Sequence, residues 1–87
     1  MKQIPEEYQL SVIARAPFHI YYEGKAMVVS AENKVGKFDI LPGHADFFSV
    51  LIPGDVTIET TSDKVIFNVN NGILTARGNE IMIFANM

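Results

Sequence analysis

The chain has 87 residues, and 48% of them are hydrophobic, which suits one domain with a small core. Its net charge is −3, from 7 basic and 10 acidic residues. The basic residues form no stripe of the kind that nucleic-acid binding requires. Cysteine is absent, which excludes disulfides, and no apolar run approaches the ~20 residues of a membrane span. We therefore expect one soluble domain, residues 1–87, that binds no nucleic acid and meets a membrane only through a partner.

The first third of the chain predicts three strands. Residues 1–7 are polar and are expected to be a flexible lead-in. Residues 8–14 alternate with a period of two, which predicts a strand with a buried face. Arg15-Ala16-Pro17 ends this strand, because proline cannot donate to a ladder. Strands follow at residues 18–23 and 25–31. In the second strand, the alternation predicts one face with Phe18, Ile20 and Tyr22 and an opposite face with His19, Tyr21 and Glu23.

The centre of the chain predicts two strands joined by a tight turn. Residues 37–41 and 47–52 are the strands, and Pro42-Gly43 lies between them. Proline fixes the backbone angle φ that the first turn position needs, and glycine accepts a positive φ at the next position. The two strands are therefore expected to fold back on each other, with His44 at an exposed tip.

The last third predicts four more strands, at residues 56–60, 64–70, 73–77 and 80–85. Asn70-Asn71-Gly72 is a strong hairpin signal, because Asn and Gly tolerate the positive dihedrals of a type I′ turn. Turn signals recur every 8–10 residues or so, a spacing typical of sandwiches and barrels. The pattern thus predicts an all-β fold of about nine to ten short, mostly antiparallel strands.

Several strands are apolar on both faces, most clearly residues 47–52. The inner faces of two stacked sheets account for one apolar set. The other set is either covered by a partner protein or is ordinary exposed hydrophobicity. The pattern leaves both possibilities open.

Catalytic and cofactor chemistry has little support in the sequence. The histidines are His19 and His44, and neither has ligand partners at metal-binding spacing. Asp39, His44, Asp46 and Ser49 could be assembled into a small hydrolase site, but a serine inside an apolar strand is usually a strand residue. The glycines stand singly at turns and form no phosphate-binding loop. We expect no metal and no cofactor.

One motif resembles a known family. Residues 36–45 read G-K-F-D-I-L-P-G-H-A and resemble the G-E-F-G-I-L-P-G-H-A segment of the F-type ATP synthase epsilon subunit, in its N-terminal domain. Tyr22-Glu23-Gly24 is similar to that domain's Y-E-G, Leu51-Ile52-Pro53-Gly54 to its L-K-P-G, and Asn71-Gly72-Ile73-Leu74 to its G-G-F-L. The similarity extends over essentially the whole chain from Leu10 on.

This resemblance implies a flattened β-sandwich in the central stalk of the synthase. Such a domain hydrolyses nothing itself: it holds the gamma subunit against the ring of membrane c subunits and so couples ion flow to ATP synthesis. It would be peripheral to the cytoplasmic face of a bacterial plasma membrane or an equivalent energy-transducing membrane. By this resemblance the loops facing the c ring carry Gly36, Lys37, Pro42, Gly43 and His44. The sheet facing gamma carries Phe47, Ser49 and Leu51.

The chain also departs from the resembled pattern. Lys37 stands where the family usually has Glu, Asp39 where Gly is common and Asp46 where Pro is common. The family's C-terminal helical hairpin is absent, so the chain is expected to be either a naturally short member or a truncated form. A free-standing β-sandwich interaction module stays open as an alternative to the stalk subunit, as does self-association of the isolated domain.

Overall fold

Nine strands account for most of the residues in the computed structural model, which describes Pro5 and residues 8–87. The predicted lead-in, residues 1–7, lies outside the described residues apart from Pro5. The strands are β1 (Leu10–Ala16), β2 (His19–Ala26), β3 (Val28–Asn33), β4 (Gly36–Ile40), β5 (Phe47–Leu51), β6 (Gly54–Glu59), β7 (Lys64–Val69), β8 (Gly72–Arg77) and β9 (Glu80–Ala85).

The strands form two sheets. A five-stranded sheet has the order β2-β1-β9-β8-β5, and a four-stranded sheet has the order β4-β3-β6-β7. Every pairing is antiparallel except that of β1 with β9, which is parallel. The described residues extend 39 × 26 × 18 Å, and the short dimension fits two sheets packed about 10 Å apart with their outer side chains. The predicted flattened, mostly antiparallel β-sandwich is confirmed.

The core lies between the two sheets and is built by alternation. In β8 and β9 every second residue is buried, because successive side chains of a strand point to opposite faces. The strands of the other sheet contribute in the same way. The largest fully buried side chains are Leu10, Ile58, Leu74, Ile83, Val12, Val29, Val56 and Val69.

The predicted alternation of the second strand is wrong. β1 continues to Ala16, and the turn falls at Pro17-Phe18, which leaves Phe18 fully exposed. Ala14 pairs with Tyr22 and Arg15 pairs with Ile20, so Tyr21 is the extra residue of a β-bulge. Because of this bulge, Tyr21 and Tyr22 both pack against the core.

The bulged Tyr21 helps to close one end of the sandwich. Its ring stacks on Phe67 of the opposite sheet, with the ring centroids 4.5 Å apart. Its hydroxyl accepts a hydrogen bond of 2.8 Å from Nδ2 of Asn86. Asn86 has a positive φ of 55°, and its Oδ1 accepts from the Asn70 amide. The two sheets are thus joined by side chains as well as by the core.

The sandwich has two ends, called the Val35 end and the His44 end after one residue in each. The Val35 end carries the connections at residues 17–18, 34–35, 52–53 and 70–71. The His44 end carries those at residue 27 and at residues 41–46, 60–63 and 78–79.

Three connections that carry turn residues are crossovers between the sheets. β4 and β5, β5 and β6, and β7 and β8 each lie in different sheets, so Pro42-Gly43, Pro53-Gly54 and Asn70-Asn71-Gly72 form no hairpins. Asn70, Asn71 and Gly72 all lack a positive φ, so the prediction of a type I′ turn at these residues is wrong. Turn residues specify a local change of direction, but they do not specify which sheet the next strand joins.

Candidate docking surfaces

The five residues predicted to face one partner surface lie in two separate places. Gly36 and Lys37 begin β4, beside the turn at residues 34–35, whereas Pro42, Gly43 and His44 follow the end of that strand. A strand rises about 3.3 Å per residue, so the two groups lie roughly 13 Å or more apart. The structure therefore places them at the two ends of β4, in two separate loops.

The β3–β4 hairpin is held rigidly at the Val35 end. Oδ1 of Asn33 accepts hydrogen bonds from the amides of Val35, at 2.9 Å, and Gly36, at 3.3 Å. The Asn33 Nδ2 donates at 3.0 Å to the hydroxyl of Ser49, which is buried. Gly36 has a φ of +143°, in the region that favours glycine. One side chain therefore both shapes the turn and ties it to the interior.

The tip of this hairpin presents an apolar side chain between two cations. Val35 is 96% exposed, and Lys34 and Lys37 are exposed beside it. Neither lysine forms an ion pair with any residue that the structure describes. The sequence singled out Lys37 but missed Lys34 and Val35; the two lysines three residues apart around a turn were the available signal.

The connection at residues 41–46 is tied to the β8–β9 turn by reciprocal hydrogen bonds. The Gly43 amide donates to Oδ1 of Asn79 at 2.9 Å, and the Gly78 amide donates to Oδ1 of Asp46 at 2.8 Å. His44 is half-buried in this connection, and its Nδ1 contacts the carbonyl of Ala45. Its Nε2 is buried without a hydrogen-bond partner. The prediction that His44 lies at an exposed tip is therefore wrong, because its ring is partly covered within the connection.

Gly43 has the positive φ that the Pro-Gly pattern predicts, at +87°. A side chain at this position would meet open space, since no atom lies within 4 Å of where its Cβ would be. Any penalty for replacing Gly43 therefore comes from the backbone conformation alone.

We expect Gly43→Val to lower the free energy of unfolding by about 1.5 kcal/mol, because a β-branched residue resists a positive φ. Urea unfolding followed by circular dichroism measures this loss. Gly43→Asn is the matched control and should lose less, because asparagine tolerates this region. Equal losses for the two variants would contradict the conformational explanation.

The four residues of the hydrolase alternative have other partners. The Asp39 carboxylate accepts from the Ser30 hydroxyl at 2.6 Å, and that of Asp46 accepts from Gly78. Ser49 is buried and bonded to Asn33. No contact joins its hydroxyl to the His44 ring, so no pair of nucleophile and base forms. Among the described residues, no group of three or more His, Asp or Glu side chains is placed to hold a metal ion.

The prediction that Phe47, Ser49 and Leu51 form the outer side of β5 is wrong, because the alternate residues face outward. Ser49 and Leu51 are 6% and 3% exposed and point into the core, and the Phe47 ring contacts Phe38 at a centroid distance of 5.2 Å. Phe48 and Val50 pair with Thr75 and Ile73 on the outer side. The sequence does not show which side of β5 is buried, because the four residues other than Ser49 are all apolar.

The outer face of the five-stranded sheet carries a set of exposed large apolar side chains, here called the apolar face. Its members come from four of the five strands and are Ile13, Ile20, Phe48, Val50, Met82 and Phe84. Towards the His44 end the same face becomes polar, where Nζ of Lys25 donates to the Ser11 hydroxyl at 2.7 Å. A groove of about 680 Å³ crosses β2, β1, β9 and β8 at this transition, lined in part by Arg77 and Glu80.

A tyrosine at the edge of the same sheet is bonded to the backbone of its own strand. The Tyr22 hydroxyl donates to the Lys25 carbonyl, and burial raises the pKa of this phenol above its ordinary value. This bond steadies the segment that leads β2 into the polar part of the groove.

Among the described residues, no helix has the length and apolar character needed to cross a membrane.

Comparison with known proteins gives consistent matches. The family model described as "ATP synthase, Delta/Epsilon chain, beta-sandwich domain" matches residues 7–87. The "ATP synthase epsilon chain" of Corynebacterium aurimucosum is 34% identical over 68 residues, covering 76% of this chain and 56% of that protein. The epsilon chain of Rhodococcus opacus is 30% identical over 66 residues, covering 74% of this chain and 54% of that protein. The chain thus spans about half the length of these curated relatives.

Solved structures agree in fold. A chain in the Euglena gracilis mitochondrial ATP synthase (OSCP/F1/c-ring) superposes with a TM-score of 0.83 at 16% identity, over 97% of this chain and 53% of that one. A chain in the central stalk and c ring of the Tetrahymena thermophila mitochondrial ATP synthase gives 0.78 at 20% identity, over 90% and 63%. At these identities the likeness establishes the fold alone.

Proposed function

The chain belongs to the ATP synthase delta/epsilon β-sandwich family, and on that premise we propose that it is a non-catalytic subunit of the central stalk. In this role it links the gamma subunit to the c ring and couples ion flow to ATP synthesis. It lies peripheral to the cytoplasmic face of a bacterial plasma membrane, or an equivalent membrane, through the complex. Its curated relatives are ATP synthase epsilon chains, and the superposed chains come from structures of mitochondrial ATP synthases that include the c ring.

The apolar face is the observation that carries this proposal. A single exposed apolar residue is ordinary, but a set of six on one side of one sheet marks an interaction surface. Stable protein interfaces have an apolar centre and a polar rim, and the charged residues around the groove supply such a rim on one side. We assign this face to gamma, with Phe48 and Val50 in the role that the resemblance implied for Phe47, Ser49 and Leu51.

The Val35 end is assigned to the c ring. The predicted ring contacts lie in two groups at the two ends of β4, and we assign one group of them to the ring. Gly36 and Lys37 stay with the ring, because the exposed tip and its unpaired lysines lie there. Pro42, Gly43 and His44 then face away from the ring, where their loop is already bonded to the β8–β9 turn.

The fold suits a part that transmits torque. Both sheets are continuous hydrogen-bonded ladders, and side chains join them at the Val35 end through Tyr21, Phe67 and Asn86. A close-packed interior has low compressibility and transmits strain. A force applied at the tip therefore reaches the apolar face without deforming the domain much.

Binding to gamma tests the proposal. The chain should form a one-to-one complex with the gamma subunit of the same organism, with a dissociation constant below about 1 μM, as titration calorimetry and size-exclusion chromatography would measure. The second candidate is a free-standing interaction module, which the unpaired Lys37 favours because the resembled motif has Glu there. No complex with gamma at micromolar concentrations would reject the stalk role and leave the second candidate.

A further inference from the structure

Two cross-strand Lys–Glu pairs in the four-stranded sheet behave differently. On β6 and β7, Glu59 lies opposite Lys64, and their side chains form an ion pair of 3.2 Å. On β3 and β4, Glu32 lies opposite Lys37 in the same way, but no ion pair forms. The Glu32 carboxylate instead lies against Gly54 of β6, with Oε1 3.6 Å from where a Cβ would be. Within the described part of the chain, Lys37 therefore has no ion-pair partner, although a carboxylate is available directly across the ladder.

The unpaired charge is presented on a fixed support. Lys34 and Lys37 flank the 96% exposed Val35, and Asn33 holds the turn through three hydrogen bonds, one of which reaches the buried Ser49. A recognition surface that is already ordered loses less conformational entropy on binding. The tip thus has the features of a preformed contact: two cations that pair with no carboxylate of the described residues, an apolar centre and a rigid base.

We propose that the tip of the β3–β4 hairpin docks on an acidic protein loop, with carboxylates that pair with Lys34 and Lys37 around a contact to Val35. This rests on the proposed function, and it specifies the chemistry of the ring surface: the c-subunit loops that meet this domain carry Asp or Glu at the contact. Complementary charges at an interface fix register and speed association. The charge on Lys37 thus determines which rings this chain can join.

A lipid surface fits the tip less well than a protein loop does. Basic clusters that bind anionic lipids usually hold about 4–8 Lys or Arg residues, whereas this tip has Lys34 and Lys37. The chain as a whole has a net charge of −3, which opposes binding to an extended anionic surface. One valine is also a small apolar anchor compared with the Trp, Phe and Leu residues of interfacial segments. A discrete acidic loop needs only the two local charges.

The test measures binding of the complete chain, in its complex with gamma, to detergent-solubilised c ring from the same organism. Lys34→Gln with Lys37→Gln should weaken ring binding about tenfold, and Lys37→Glu should weaken it at least as much. Lys64→Gln is the matched control, an exposed lysine on the other edge strand of the same sheet, and should change binding less than twofold. Wild-type binding should fall as NaCl rises from about 50 to 300 mM.

Each other outcome overturns the proposal in an identifiable way. If wild type binds the ring but the Lys34 and Lys37 variants bind equally well, the acidic-loop inference is wrong and the stalk role stands. If wild type binds gamma but not the ring, both the inference and the ring assignment are wrong. If the tip lysines instead control sedimentation with vesicles of phosphatidylcholine and phosphatidylglycerol that contain no ring, the partner is lipid and the protein-loop proposal fails.

Discussion

Gly72→Val should destabilise the domain by about 3 kcal/mol, which corresponds to a fall in Tm of roughly 12–24 °C for a domain of this size. Gly72 begins β8 inside the five-stranded sheet, and a Cβ there would lie 2.9 Å from the carbonyl oxygen of Phe84. It would also lie 3.4 Å from Cδ1 of Leu51. The Phe84 carbonyl belongs to β9, which pairs with β8, so relief of the clash must disturb that ladder.

Gly54→Val is the control for this effect. Gly54 also begins a strand, β6, but a Cβ there would meet only the Glu32 carboxylate at 3.6 Å, which is an ordinary contact with the end of a flexible side chain. We expect its Tm to lie within a few degrees of that of wild type. Thermal unfolding of both variants by circular dichroism makes the comparison. Similar Tm values for Gly72→Val and wild type would mean that β8 and β9 do not approach as closely as described.

Phe48→Asp with Val50→Asp should weaken binding to gamma at least a hundredfold. Both side chains lie on the apolar face, 64% and 60% exposed, and truncation of a buried interface anchor typically costs ≥2 kcal/mol. Two added carboxylates would in addition be desolvated without partners in the complex. The substitutions point away from the core, so the free domain should keep its β-sheet spectrum and unfold cooperatively.

Two variants separate this prediction from a general effect of charge or unfolding. Ile66→Asp, on the outer side of the four-stranded sheet, replaces a residue of 57% exposure and should leave gamma binding unchanged within about twofold. Ser49→Asp places a charge in the interior and should unfold the domain instead. If Ile66→Asp weakened gamma binding as much as the double variant, the four-stranded sheet would be the gamma surface. The assignment of the apolar face would then be wrong.

Strand positions followed from the sequence because alternation and turn residues are local properties. Val56 and Ile58 are buried in β6, and Val69 is buried in β7, as the period of two predicts. The positive φ of Gly43 likewise follows from the Pro-Gly pair. These features depend on a few neighbouring residues, and the tertiary structure leaves them in place.

The candidate sites were only partly predictable. The sequence identified Lys37 and the loop that contains His44, but it treated them as one surface, and β4 separates them. It also chose the wrong side of β5, because in a mostly apolar strand the pattern does not distinguish the two faces. The register with β8 decides that Phe48 and Val50 face outward.

The alternation and turn residues of the chain are enough to predict a small all-β domain of about nine strands with a histidine-bearing loop after the fourth, and the resembled motif indicates the family. They do not predict which turns are hairpins and which are crossovers, the bulge through which Tyr21 enters the core, or the lack of an ion-pair partner for Lys37 among the described residues. Alternation and turn propensity arise within a few residues, whereas sheet membership, register and pairing depend on how distant strands share one core.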